Sequence, residues 1–201
     1  MRPGAPANEA AADDTVLRIR GLKTHFQLDH GTVRAVDGVD LDVPRGRTLG
    51  VVGESGCGKS QTAFSVLRLI PKPGRIVSGE ILFNDRGDKT LDLTKLPEDG
   101  ETIRRIRGHR IAMIFQEPMT SLSPVHTVGS QIAEAVRLHL KLKRSAARQH
   151  TIHMMSRAGI PDAVRRFDQY PHEMSGGLRQ RAMVAMALSC RPSLLIADEP
   201  T

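Results

Sequence analysis

Two kinds of apolar pattern run along the chain. In the first, Leu17 and Ile19 alternate with Arg18 and Arg20, and Val39, Leu41 and Val43 alternate with Asp40 and Asp42. Period two puts the apolar residues of each segment on one face, and "LDHGT" between them supplies turn residues, so half-exposed antiparallel strands are predicted. In the second, "TLGVV" (48–52), "IAMIF" (111–115) and "LLIA" (194–197) are unbroken apolar runs. Strands buried on both faces of a parallel sheet read this way, and each run is predicted to be one.

Helical spacing fills the intervals. Ala63, Val66, Leu67 and Ile70 fall at i, i+3, i+4 and i+7, as do Met183, Met186, Ala187 and Cys190, which predicts an amphipathic helix beside a buried strand in each place. Val128, Ile132, Val136 and Leu140 recur every four residues, and no strand signal follows them. The stretch of about 125–172 is therefore expected to be an all-helical insertion in an α/β core. Its basic segment "KLKRSAAR" (141–148) reads as a helix-to-helix connection with a Ser145 cap and a solvated surface, phosphate binding being the other role open to its cations. Residues 1–14, rich in Ala, Pro and acidic residues without apolar period, are expected to form a disordered leader, with 15–201 as the ordered domain.

Composition narrows the function classes. No apolar run approaches the roughly 20 residues needed to span a bilayer, and the N-terminus lacks the basic-then-apolar order of a signal peptide, so a cytoplasmic location is expected. Cys57 and Cys190 have no Cys or His neighbours at metal-ligand spacing. The 29 basic and 22 acidic residues give a net charge of +7, which permits attraction to nucleic acid, nucleotide or an anionic surface. With one Tyr and no Trp there is no stacking platform for bases, and no nucleic-acid partner is expected.

The sharpest chemical signal follows "TLGVV" directly. "GESGCGKS" (53–60) fits Gly-x4-Gly-Lys-Ser, with Gly53, Gly58, Lys59 and Ser60 in the fixed positions. Glycines let the loop turn tightly so that successive backbone N–H groups face inward, and the helix that follows adds the positive end of its dipole. Phosphate oxygens suit such a nest. Lys59 is placed for the β- and γ-phosphates and Ser60 for Mg²⁺. Cys57 fills a variable slot, as a small loop residue, and a helix N-terminus would favour its thiolate.

Three more segments follow: "MIFQEPMTSLSP" with Gln116 at a strand end, "MSGGLRQR" with Ser175, Gly176 and Gly177 at a helix start, and "LLIADEP" with Asp198 and Glu199. Together with the loop they resemble the nucleotide-binding subunits of ABC transporters, in the order Walker A, Q-loop, signature and Walker B. The finer wording is similar to the oligopeptide/dipeptide importer ATPases. Leu178 stands where the wider superfamily commonly has Gln, and importers of the peptide class look like this chain there.

The resemblance implies an ABC-type P-loop core with an N-terminal antiparallel β subdomain and an inserted helical subdomain. It implies ATP and Mg²⁺, with ATP held by Gly53, Glu54, Ser55, Gly56, Cys57, Gly58, Lys59, Ser60 and Gln61. Ser60, Gln116 and Asp198 would hold the metal, while Glu199 would act as general base and Gln116 would also contact the attacking water. Ser175, Gly176 and Gly177 would bind the γ-phosphate of ATP on a second ATP-binding subunit. Phe26 is the candidate to stack on adenine; His30 is close in register, and simple packing is the other role open to Phe26. All eight histidines precede Asp198, so none inherits the family's switch role.

Partners implied are transmembrane subunits, the second ATP-binding subunit and, indirectly, a solute-binding protein, at the inner face of the cell membrane. By the same resemblance the sequence stops before the D-loop and the switch histidine, leaving the core sheet incomplete. Poor folding and little ATPase activity are expected of these 201 residues alone. The alternatives are a nucleotide-binding fragment without ATPase activity and a soluble ATPase of DNA repair or translation. By itself an acidic pair after an apolar run is also how a strand runs out into solvent.

Overall fold

The computed structural model describes residues 14–85, 90–116 and 122–198, and divides into two units, Met1–Ile103 and Arg104–Thr201. Of the expected leader only Asp14 is among the described residues. Glu199 also lies outside them.

The first unit is built on an antiparallel sheet in the order β2-β1-β3-β4, with β1 at Thr15–Leu28, β2 at Gly31–Pro44, β3 at Gly74–Phe83 and β4 at Leu91–Asp92. The alternating segments pair as their pattern predicts: Leu17 faces Val43, Ile19 faces Leu41 and Leu22 faces Val39. Ile19 also lies opposite Ile81 of β3, and both are fully buried. On the exposed face Arg20 and Arg18 reach Asp42 at 2.7 and 3.4 Å, and the hydrogen bond from Arg20 helps hold that carboxyl below its usual range. Such an exposed group is worth about 0–1 kcal/mol. The buried hydroxyl pair Thr24 Oγ1 to Ser65 Oγ, 2.8 Å apart, ties β1 to helix α1 (Lys59–Val66).

Helix α1 is shorter than its apolar period. The spacing extends to Ile70, yet Arg68 turns left-handed at φ 55°, its N–H donates to Ser65 O, and Leu69 N–H donates to Phe64 O. Two bonds returning into the last turn close the helix, and Pro71 disfavours helical geometry at Ile70. Ile70 is still buried, so the period reports a core contact made outside the helix.

The expectation for "TLGVV" is overturned. Residues 47–54 adopt no regular structure, and 48–52 make no backbone hydrogen bond among the described residues. Val52 is 97% exposed, Val51 57% and Leu49 42%. A strand is buried on both faces only where neighbours flank it, and an apolar run carries no information about whether neighbours exist.

In the second unit β5 (Ile111–Ile114) and β6 (Leu194–Ala197) form a parallel pair, Ile111 opposite Leu194 and Ile114 opposite Ala197. The ladder continues at both ends, through Leu194 N–H to Arg110 O and Asp198 N–H to Ile114 O. After the short helix α2 (Glu101–Ile106), helices α3 (Val128–Leu140), α4 (Arg144–Arg157), α5 (Ala163–Arg166) and α6 (Gly176–Leu188) surround a core that includes Ile114, Val128, Ile132, Met155, Phe167 and Met183. Val128, Ile132 and Val136 are all fully buried, as four-residue spacing on one helix face requires. None of the helices among the described residues is long and apolar enough to cross a membrane.

The residue preceding α4 is Lys143, in extended geometry and with no side-chain cap, while Ser145 lies inside the first turn. Ser145 therefore does not cap the helix, because a capping side chain must come from the residue before the first turn. His139, near the end of α3, stacks on His109 with ring centroids 5.5 Å apart; burial first, and then His109, hold its pKa below the ordinary histidine value.

Candidate nucleotide-binding site

In the first unit the loop 53–58 turns through two left-handed glycines, Gly56 at φ 81° and Gly58 at φ 94°. Gly58 is required twice over. A Cβ there would meet Ala35 O at 2.2 Å, so the loop could not approach β2 as it does. Gly53 is also close, since a Cβ on it would lie 2.7 Å from Cys57 Sγ.

Helix α1 starts at Lys59 with Gly58 as its cap residue, and a glycine offers no side chain to the first turn. The backbone N–H groups of Lys59, Ser60 and Gln61 make no hydrogen bond among the described residues. Helix α3 is the contrast: Val128 N–H donates to Gln169 O, Gly129 N–H to Phe167 O and Ser130 N–H to Thr127 Oγ1. The start of α3 is saturated by protein; the start of α1 is left for an anion.

Lys59 folds back over the loop, Nζ donating to Gly53 O and Glu54 O at 2.8 Å each, with Cys57 Sγ at 3.7 Å. Its charge thus sits on the concave side of a turn whose carbonyls hold it in place. Residues 53–57 are exposed and Gly58, Lys59, Ser60 and Gln61 half-buried. Gln61 Oε1 is buried without a partner among the described residues, an acceptor awaiting a donor such as an ordered water. Cys57 is an exposed free thiol, in keeping with a loop filler.

Phe26 lies on β1 opposite Gly74, and a Cβ on Gly74 would meet its ring at 2.5 Å. The ring is half-buried over that glycine, which gives it a packing role, while His30 is exposed in the β1–β2 turn.

The second unit carries the other candidates. Parallel pairing puts the C-terminal ends of β5 and β6 side by side, so Gln116, two residues beyond Ile114, and Asp198, one residue beyond Ala197, leave the same end of the pair. Ligands of open α/β sheets bind at such ends. Gln116 is exposed and Asp198 buried.

Ser175 caps α6, its hydroxyl accepting from Leu178 N–H at 3.4 Å. Gly176 and Gly177 are exposed, nothing lies within 4 Å of a Cβ on either, and their N–H groups make no hydrogen bond among the described residues. A second open helix start results. It is held by two side chains that no motif reading singled out: Glu173 accepts from Tyr170 N–H at 2.7 Å, and Arg179 Nε donates to Met174 O at 2.9 Å. No period or spacing announces them, because each acts on backbone groups a few residues away.

The oxygen donors fit the groups implied for them. In the second unit the Asp198 carboxylate and the Gln116 amide carbonyl are hard oxygen donors of the kind Mg²⁺ takes; in the first, the Ser60 hydroxyl is another, and the cradle that a Cβ on Gly58 would fill suits phosphate.

Comparison with known proteins gives a consistent picture. The pattern described as "ABC transporter" matches residues 36–201. A "Probable peptide ABC transporter ATP-binding protein" of Sinorhizobium fredii is 54% identical over 94% of this chain and 54% of its own length. A dipeptide transport ATP-binding protein of Bacillus subtilis is 48% identical over 94% of this chain and 54% of its own length. Among solved structures, a dimeric post-hydrolysis ATP-binding cassette bound to ADP and Pi superposes with a TM-score of 0.79 at 21% identity, covering 92% of this chain and 74% of that one. A cassette from a Clostridium perfringens ABC transporter complex gives 0.67 at 24% identity, over 92% of this chain and 65% of that one. Those two likenesses show the fold. The chain spans about half the length of the first two relatives.

Proposed function

Because the chain belongs to the ABC transporter family, we propose that it is the ATP-binding and ATP-hydrolysing part of a peptide-type importer, acting at the cytoplasmic face of the cell membrane. The observation that carries this is the start of α1, where three consecutive N–H groups have no protein partner among the described residues beside a lysine held over the loop. The peptide class rests on the names of the relatives in S. fredii and B. subtilis.

In this reading the N–H groups of the loop and of Lys59, Ser60 and Gln61 seat the phosphates, and Lys59 leaves its two carbonyls for the β- and γ-phosphate oxygens. Ser60, Asp198 and Gln116 are the residues that would hold Mg²⁺, which when bound would supply positive charge to the transferring phosphate. Glu199 takes the proton of the attacking water, and Gln116 orients that water. Ser175 and the N–H groups of Gly176 and Gly177 receive the γ-phosphate of ATP held by a second ATP-binding subunit. Phe26 stacks on adenine. The insertion of about 125–172 docks on transmembrane subunits.

The test uses the intact transporter. Lys59→Ala should weaken ATP binding by about 10- to 100-fold, the worth of a charge-assisted hydrogen bond, whereas Glu199→Gln should keep binding and lose turnover. Equal ATP affinity in Lys59→Ala and the parent would reject the site.

One observation favours a second reading for these 201 residues taken alone. The run 48–52 that leads into the loop makes no ladder among the described residues, so nucleotide binding without turnover fits them. ATP binding and hydrolysis measured side by side on the chain separate the two.

A further inference from the structure

Helix α3 begins at a junction. On one side its first two N–H groups belong to the segment ahead of the signature turn, Val128 donating to Gln169 O at 2.8 Å and Gly129 to Phe167 O at 3.0 Å. The approach is so close that a Cβ on Gly129 would meet two Phe167 ring carbons at 2.3 Å and Phe167 O at 2.5 Å. From Gln169 the chain passes through Tyr170, tied to Glu173, and Met174, tied to Arg179, to reach Ser175.

On the other side stands Gln131. Its Oε1 accepts from Ser123 N–H at 2.9 Å, and its Nε2 donates to Ser123 O and His126 O, both at 3.0 Å. An amide has two N–H donors and one carbonyl oxygen, and here all of them are spent on the backbone of 123–126. Thr127 closes the corner, receiving Ser130 N–H on its hydroxyl and Ser130 Oγ on its carbonyl. Residues 123–126 follow Gln116 by seven to ten positions in the chain. The corner therefore joins residues 123–126, which come after Gln116 in the chain, to the stretch entering the signature.

We propose that Gln131 is a positioning residue that makes 123–126, the first turn of α3 and 167–175 move as one piece, so that displacement at the Gln116 end of β5 reaches Ser175. The proposal rests on the reading of Gln116 and Ser175 given above. The side-chain chemistry is specific. A glutamate keeps an acceptor for Ser123 N–H but sets carboxylate oxygen against two carbonyls. A methionine has similar length and leaves all three backbone groups without their partner, and an asparagine is one methylene too short to span the same gap.

A purely structural Gln131 would stabilise the domain and nothing more, and the two roles separate in the intact transporter reconstituted in liposomes. The solute-binding protein is loaded from a mixture of alanine di-, tri- and tetrapeptides. ATP affinity, unstimulated ATPase rate and its stimulation by the loaded protein are measured for the parent, Gln131→Glu and Gln131→Met, with a thermal midpoint for each. Positioning predicts ATP affinity and unstimulated rate within about twofold of the parent and a loss of stimulation of at least about fivefold, the lower end of coupling between sites. Unchanged stimulation overturns the proposal. So does a proportional fall of both rates that follows the thermal midpoint. If Gln131→Met does not fold, Gln131→Glu, which keeps one of the three bonds, decides by the same criterion. A parent transporter that neither binds nor hydrolyses ATP overturns the functional reading and this proposal with it, and that outcome is visible before any variant is compared.

Discussion

The guanidinium of Arg179 reaches back over the start of its own helix to the carbonyl of Met174, Nε to O at 2.9 Å, and so brackets the turn that carries Ser175. Hydrogen bonds from charged groups contribute about 1.5–3 kcal/mol. Replacing Arg179 by Ala should loosen that turn and lower ATP turnover by about tenfold or more at nearly unchanged ATP affinity, with Arg179→Lys intermediate. Steady-state turnover and equilibrium ATP binding measured on the intact transporter check the split.

Gly58→Ala should act on the phosphate loop directly. The left-handed φ of 94° is strained for alanine by about 1–3 kcal/mol, and the added methyl would stand 2.2 Å from Ala35 O. ATP binding should be lost before the fold is. Titration with a fluorescent ATP analogue beside a thermal melt distinguishes those two effects.

At Gly129 the methyl of an alanine would enter the Phe167 ring. Overpacking of this kind costs about 1–3 kcal/mol. A protein of this size loses about 2–4 °C of thermal midpoint per kcal/mol, so calorimetry should register a clear fall for Gly129→Ala.

His139 makes stability depend on pH. Burial, and then the neighbouring His109, lower its pKa in the folded protein, so near and below the ordinary value of 6.5 the unfolded chain binds the proton more readily. Stability is therefore complete above that value and falls as the pH drops through it. The urea midpoint should be lower at pH 5.5 than at pH 7.5, and His139→Gln should shrink the difference. An identical difference in parent and variant would remove His139 as a source.

Some of this was legible in the order of residues and some was not, for physical reasons. The β1–β2 hairpin was readable because a period of two and a turn between the segments determine both type and register, and Leu17 does face Val43. The stripe Val128, Ile132, Val136 was readable because four-residue spacing fixes one helix face. "TLGVV" misled because apolar content says what a segment prefers to bury, not whether a neighbour is present to bury it. Ser145 misled because a cap depends on where the first turn starts, and that is set one or two residues away from the signal. At the site, the glycines and Lys59 carry their geometry in their residue types. Gln131, Glu173 and Arg179 do not, since a polar side chain that binds backbone three to eight residues away has no pattern to betray it.

The corner at the start of α3 is made almost wholly of neutral groups: an amide, backbone carbonyls, N–H groups and two hydroxyls. Mobile ions weaken exposed charge pairs such as Arg148 with Asp168, 3.0 Å apart on the same unit, but have little hold on dipoles at hydrogen-bond range. When a cell loses water and its interior salt rises, surface ion pairs fade while this corner keeps its shape. The transmission proposed for Gln131 is therefore expected to change little with ionic strength.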